Sequence, residues 1–487
     1  MESRGIFLNL SPLDHRYSLS SPALFRSLSG VLGEEAAVRY CARVEAALLK
    51  ALLRQAGVPG ADTTLFPAID AAADAVDPEQ VYEEERKTQH NIRALVNVMK
   101  RLLPERARPY LHLGATSVDI LDTAASLRYR DALRNVILPL LCDLQAELIR
   151  RSREEAATPQ IGRTHGQHAV PLTFGFALAE YVSRLGESTW RIWERTAGLR
   201  GKLAGAVGAY NATSLLVKDP LALEREFLGG LGLEPSEHST QLVEPEYLLR
   251  LLLEVNVAFG VLANLADDLR NLQRTEIGEV REEFISTQVG SSTMPQKRNP
   301  WNSEHVKSLW KTFSPRVVTF FMDQISDHQR DLTNSASSRF VAEYLAGFAL
   351  AVERMKSVLS SLVVDRARMA QNIARTGDLV YSEAVYVLIA LSGDPEAHER
   401  IRAATLRAEK TGARLAEVLR EEPSTWEQLS RQLAATRETD AGSFFSDPSS
   451  YTGLAAERAR AIADIHSTRI DTLRSELGGA VPEGSPA

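Results

Sequence analysis

The residues from Gly290 to Pro300 read GSSTMPQKRNP and place two adjacent hydroxyls, Ser291 and Ser292, just ahead of Lys297. Gly290, Pro295 and Pro300 keep the run out of a helix interior or a central strand. It is therefore a loop, and loops held on a rigid scaffold are where catalysis concentrates. Four other segments carry groups that can do chemistry. RTHGQHAVP, from Arg163, holds His165 and His168 and is expected just before a helix. Near-neutral imidazoles suit proton transfer. A structural histidine at the helix start is the plainer alternative, and a metal pair lacks any carboxylate or cysteine ligand spacing. KTQHNIRAL carries His90, and HLGATSVDILDTA carries His112 with the donors Thr116 and Ser117. RDLTNSASSR holds Arg330, Ser335 and Arg339. Alone it would be a solvated turn; beside a site that needs an anion clamp it reads as a phosphate or carboxylate grip.

These loops need long helices to hold them. From Glu246 to Arg274 there is no proline, and Leu251, Val255, Ala258, Leu262, Leu265, Leu269 and Leu272 alternate spacings of four and three. That seam predicts a long helix packed in a bundle. A second seam runs through Leu345, Phe348, Val352, Met355, Leu359 and Leu362. Helical stretches are expected over 118–155, 173–200 and 302–322, with Pro139 and Pro315 kinking or interrupting theirs. Strand signals are scarce, so the fold class is all-α: a long central helical bundle flanked by two smaller helical domains. The expected division is 1–113, 114–365 carrying the loop, and 366–487, with a Gly/Pro-rich disordered tail from about 478. Long helices of this kind leave apolar faces for partner subunits to cover.

The 487 residues include 63 acidic and 56 basic side chains, a net charge of −7. That balance argues against a general nucleic-acid or membrane surface, so any anionic ligand must meet a local cluster of cations. Cys41 and Cys142 are the two cysteines, with no CxxC pair. A reducing compartment and no zinc site or disulfide framework are expected. The N-terminus lacks the apolar core of a signal peptide, and no run approaches the eighteen or so consecutive apolar residues of a membrane span. A soluble cytoplasmic protein is expected.

The GSSTMPQKRNP loop resembles the signature loop of the fumarase/aspartase superfamily, which eliminates fumarate or a relative from substituted succinates. The order of the other segments resembles the adenylosuccinate lyase family over nearly the whole chain. SPLDHRYS looks like that family's opening, GKLAGAVGAYNA at Gly201 its GAVGNYNA segment, STQ at Ser239 its TTQ, RDLTNSASSR its RDxTxS run, and SYTGLA at Ser450 its NYIGRA.

The resemblance implies a metal-free and cofactor-free carbon–nitrogen lyase of purine biosynthesis. It would release fumarate from adenylosuccinate and from the succinylated carboxamide ribotide (SAICAR), as a homotetramer whose sites draw on three chains. It implies that Ser291 is the base, held as a partial alkoxide in a water-poor site. His165 is the general acid, with Glu304 as its carboxylate partner. Lys297, Asn299, Thr116 and Ser117 stabilise the charge left on the neighbouring carboxylate. His90 and His112 position substrate, and Gln241 contacts it. Arg16, Tyr17, Arg330, Ser335 and Arg339 form the nucleotide-phosphate grip.

The chain departs from the family's wording at three places: His90-Asn91-Ile92, Gln296 in the loop, and Pro245-Glu246 after STQ. All three fall near the part of the site that meets the nucleotide. They leave open a specialised-metabolism lyase of the same fold acting on another N-substituted succinate or on nitrosuccinate.

Overall fold

The protein is described by a computed structural model covering residues 5–283, 293–294 and 296–478. Ser291 and Ser292, Pro295 and the tail beyond Gly478 lie outside the described residues. In chain order the elements used below begin with α1 (Glu34–Gln55), α2 (Asn91–Leu102), α3 (Ser117–Ala132) and α4 (Leu138–Glu154). A hairpin of β1 (Pro159–Thr164) and β2 (Gln167–Thr173) leads into α5 (Phe174–Ala197). Next come β3 (Arg200–Gly201), β4 (Glu234–Pro235), α6 (Glu246–Leu272), β5 (Val280–Arg281), α7 (Trp301–Phe313) and α8 (Arg316–Met322). The series ends with α9 (Val341–Ser360), β6 (Val363–Val364), α10 (Arg366–Thr376) and α11 (Ala455–Gly478).

The seams do what their spacing predicts. Leu251, Val255, Ala258, Leu262, Leu265 and Leu269 of α6 face Phe348, Val352, Met355 and Leu359 of α9 in one core, together with Leu141 and Leu148 of α4 and Val182 and Leu185 of α5. Each such Leu, Val, Phe or Met side chain stabilises the bundle by roughly 1.5–3 kcal/mol through loss of apolar surface to water. Phe259 and Phe348 lock the two seams edge to face, 5.4 Å between ring centres. The helix expected over 118–155 is broken by a wider turn at Leu133–Ile137, just before Pro139 at the start of α4. Pro315 separates α7 from α8. In both cases the ring removes the N–H that a continuous helix would use.

A second core joins α1 and α2 to Ile120, Ala124 and Leu127 of α3 and to Leu203 and Leu223–Leu233. A third gathers apolar residues between Ile373 and Phe445 with Ile161 of β1. The last helix, α11, returns to the first core through Ala463, Ile470 and Leu473.

The structure corrects one local expectation. His165 does not precede a helix directly; it sits at the tip of the β1–β2 hairpin, and α5 begins only at Phe174. His165 and Gly166 have φ of 55° and 74°, and Thr164 pairs with Gln167. Two consecutive positive φ values in a two-residue loop make the turn whose twist matches the flanking strands. Histidine is among the few side chains that tolerate the first position.

Candidate active site

One set of site residues gathers where α3 begins. His90 caps α2, its Nδ1 accepting from the Arg93 amide at 3.2 Å, and its Nε2 lies 3.5 Å from Ser117 Oγ. Thr116 and Asp119 form a reciprocal capping box that fixes the first turn of α3. Asp119 also takes a fully buried ion pair from Lys202 and accepts from the amides of Ala204 and Gly205 at 3.1 and 3.3 Å. The GKLAGAVG segment is thereby docked onto α3.

Gly208, at φ 78°, would put a Cβ 1.8 Å from the Ser239 carbonyl oxygen, so only glycine lets the STQ segment lie this close. Gln241 is then held by its amide, which donates to the Gln329 carbonyl at 3.1 Å, next to Arg330. The Val243 amide donates to Asp122 at 2.9 Å. Burial pushes the Asp122 carboxyl up to about 6, Asp119 adds to the rise, and Lys202 and Arg330 pull against it. Ser335 and Arg339 are exposed on the turn before α9. Asn334 and Ser338 of that turn share a small apolar cavity with Asp122, Tyr129, Leu242 and Val243.

The other set lies beyond the far end of α6. Gln273, which ends α6, accepts from the Glu282 amide at 2.8 Å and donates to the Arg298 carbonyl at 3.1 Å. Glu282 in turn accepts from the amide and hydroxyl of Ser303 at 2.8 and 2.7 Å and from the side chain of Asn302 at 3.0 Å. The feet of the signature loop are thus tied to each other and to the start of α7. Lys297 is exposed and Asn299 half-buried on this stretch, and Glu304 is exposed in the first turn of α7.

The hairpin bearing His165 is anchored by Glu279, which is fully buried. Glu279 accepts from Arg163 Nη1 and Nη2 at 3.1 and 2.5 Å, from Gln160 at 2.8 Å and from Asn372 of α10 at 2.8 Å. Removing one partner of such a pair leaves an uncompensated buried charge. Glu279→Ala is therefore expected to lower unfolding free energy by roughly 3–5 kcal/mol. Urea titration would check this, and a change within error would show that the hairpin is held by its apolar contacts alone.

Arg16, exposed, and Tyr17 pack by α7, where the Tyr17 ring lies 5.5 Å from that of His305. Burial, then Arg354 and Arg16, push the His305 pKa down, and its Nε2 is buried without a hydrogen-bond partner among the described residues. Arg354 donates to Asn302 at 2.9 Å and stacks 5.3 Å over Trp301. Neither His305, next to Glu304 in α7, nor Arg354, inside α9, is marked by its local spacing as part of a site.

The two sets do not meet within one chain. Gln241 and Arg330 lie before the first turn of α6, Lys297 and Asn299 beyond its last, and its 27 residues span about 40 Å. Nor does the side chain of His165 have a hydrogen-bond partner among the described residues, Glu304 included.

A family model described as lyase matches residues 33–311, and one described as adenylosuccinate lyase C-terminal matches residues 326–439. The adenylosuccinate lyase of Pyrococcus abyssi is 33% identical over 86% of this chain and 91% of its own length. That of Archaeoglobus fulgidus is 32% identical over 93% of this chain and 97% of its own. Among solved structures, a fumarate lyase from Mesorhizobium superposes with a TM-score of 0.77 at 26% identity, covering 90% of this chain and 97% of that one. The 3-carboxy-cis,cis-muconate lactonizing enzyme of Pseudomonas putida gives 0.75 at 26% identity, covering 92% and 97%. With its signature loop, helical bundle and matched C-terminal region, the chain belongs to the adenylosuccinate lyase family of the fumarase/aspartase superfamily and is a carbon–nitrogen lyase.

Proposed function

We propose that this lyase cleaves adenylosuccinate to AMP and fumarate, and SAICAR to AICAR and fumarate, in purine biosynthesis in the cytoplasm. Ser291 takes the proton from the carbon beta to the leaving nitrogen. The electron pair collects on the adjacent carboxylate, where Lys297, Asn299, Thr116 and Ser117 stabilise it. The C–N bond then breaks, and His165, supported by Glu304, gives the departing nitrogen its proton. His90, His112 and Gln241 orient the substrate. No metal or cofactor is called on, because the carboxylate itself stores the charge of the intermediate.

The sharing of sites between chains is supported by the separation of the two groups of candidate residues at opposite ends of a helix about 40 Å long, and the activity by the family match. A homotetramer with antiparallel neighbours would bring one chain's Gln241–Arg330 end against another's Lys297–Glu304 end, so that each site is shared. The exposed apolar side chains Val318, Phe321, Met322 and Ile325 on and after α8 are surface that such neighbours would cover.

The nucleotide half of the substrate can be tested through the grip. Arg16, Arg330 and Arg339 have no carboxylate ion pair among the described residues, which suits an anionic ligand. Arg339→Ala is expected to weaken adenylosuccinate binding by roughly 1.5–3 kcal/mol, the usual worth of a charged hydrogen bond. Handling of a phosphate-free N-succinyl analogue should barely change. The measurement is kcat/KM for both compounds in wild type and variant. A wild-type enzyme that prefers the phosphate-free compound would overturn the nucleotide assignment in favour of another N-substituted succinate.

A further inference from the structure

Two local costs meet at the hydrogen bond between Glu45 and His112. Glu45 lies in α1, fully buried, with Ala42, Val44, Leu48 and Leu49 of the same helix in the second core. A carboxylate in such surroundings is unfavourable unless partnered. Its partner is His112, whose Nδ1 lies 2.7 Å from Oε1, while Oε2 is buried with no hydrogen-bond partner among the described residues. His112 is itself in the left-handed region at φ 60°, which histidine tolerates but glycine adopts at less cost. For stability alone, a leucine at 45 and a glycine at 112 would serve better. This turn runs directly into Thr116 and Ser117, and Ser117 is the hydroxyl beside His90. The His112 side chain keeps 15% exposure, so one edge of the ring stays open while the other is committed to Glu45.

We propose that Glu45 is a positioning residue for the elimination. By accepting from Nδ1–H it fixes the tautomer and direction of the His112 ring and leaves Nε2 as the atom offered to substrate. The inference rests on the fumarate-releasing reading above, in which His112 contacts substrate. Glu45 itself touches nothing that reacts.

The test uses Glu45→Leu, Glu45→Gln and 15N-histidine NMR on the full-length protein. Glu45→Leu is expected to keep or raise the thermal midpoint, since a buried charge is replaced by an apolar side chain. It should lower kcat/KM for adenylosuccinate by about 10- to 100-fold, as loss of a carboxylate behind a functional histidine commonly does. Glu45→Gln, whose amide oxygen can still accept from Nδ1, should lose less. The His112 signal should report a proton on Nδ1 in wild type and a shift away from that tautomer in Glu45→Leu. Wild-type kcat/KM in Glu45→Leu, or activity lost only in proportion to folded protein lost, would overturn the proposal. So would a His112 tautomer unchanged by the substitution. Wild type inactive on adenylosuccinate would sink the substrate assignment instead, and the NMR arm would still decide the role of Glu45.

Discussion

Ser291→Ala is expected to reduce kcat by at least the ~10²- to 10⁴-fold typical of losing a general acid–base group, while adenylosuccinate still binds. The argument starts from proton affinity. A serine hydroxyl is a weak base in water and becomes useful only where donors and positive charge favour its alkoxide. Lys297 lies six residues on in the same loop, and the loop's feet are held together by Gln273 and Glu282. Removing one oxygen atom leaves the cations and the substrate contacts in place, so KM should move far less than kcat. Single-turnover kinetics with an equilibrium binding measurement would separate the two. Near-normal turnover in Ser291→Ala together with an inactive Ser292→Ala would move the role to the second hydroxyl.

A mixture of two dead proteins should come back to life. Ser291→Ala and His165→Asn remove the proposed base and acid from opposite faces of the substrate. Asparagine keeps the hairpin tip, because it also accepts the positive φ of position 165. If each site takes its serine and its histidine from different chains, random reassembly leaves about a quarter of the sites with both native groups. That should raise activity by about 25-fold or more over either parent, a quarter of the ~10²-fold or greater loss that each change causes alone. Mass spectrometry of isotopically distinct chains would verify that subunits exchanged. Exchange with no return of activity would mean that both groups come from the same chain.

The sequence made the scaffold legible because apolar spacing is a local property. The α6 and α9 seams, the break before Pro139 and the separation at Pro315 follow from residues close together in the chain. The hairpin under His165 was not legible: Pro159–Thr173 has little strand-like alternation, and its turn rests on a His-Gly pair rather than the commoner Asn-Gly. The supporting carboxylates were harder still. Glu45, Glu279 and Glu282 look like ordinary charged residues of a helix or a loop, and only folding shows that they are buried against His112, Arg163 and Ser303. Motif wording picked out the groups proposed to react, whereas the groups that aim them depend on contacts between distant parts of the chain.

The α6 helix carries a liability during synthesis and on heating. Part of Glu246–Leu272 is as apolar as a membrane-spanning helix by length and composition, and in the fold more than half of that stretch is buried. An emerging chain holds this stretch before α7 and α9 exist to cover it, when of the helices packed on it α5 is already made. An unfolded chain exposes it to every other copy, and sticky segments of this kind make aggregation faster than refolding. Heat inactivation of this enzyme is then governed by how fast the bundle opens, and its apparent melting temperature will rise with scan rate.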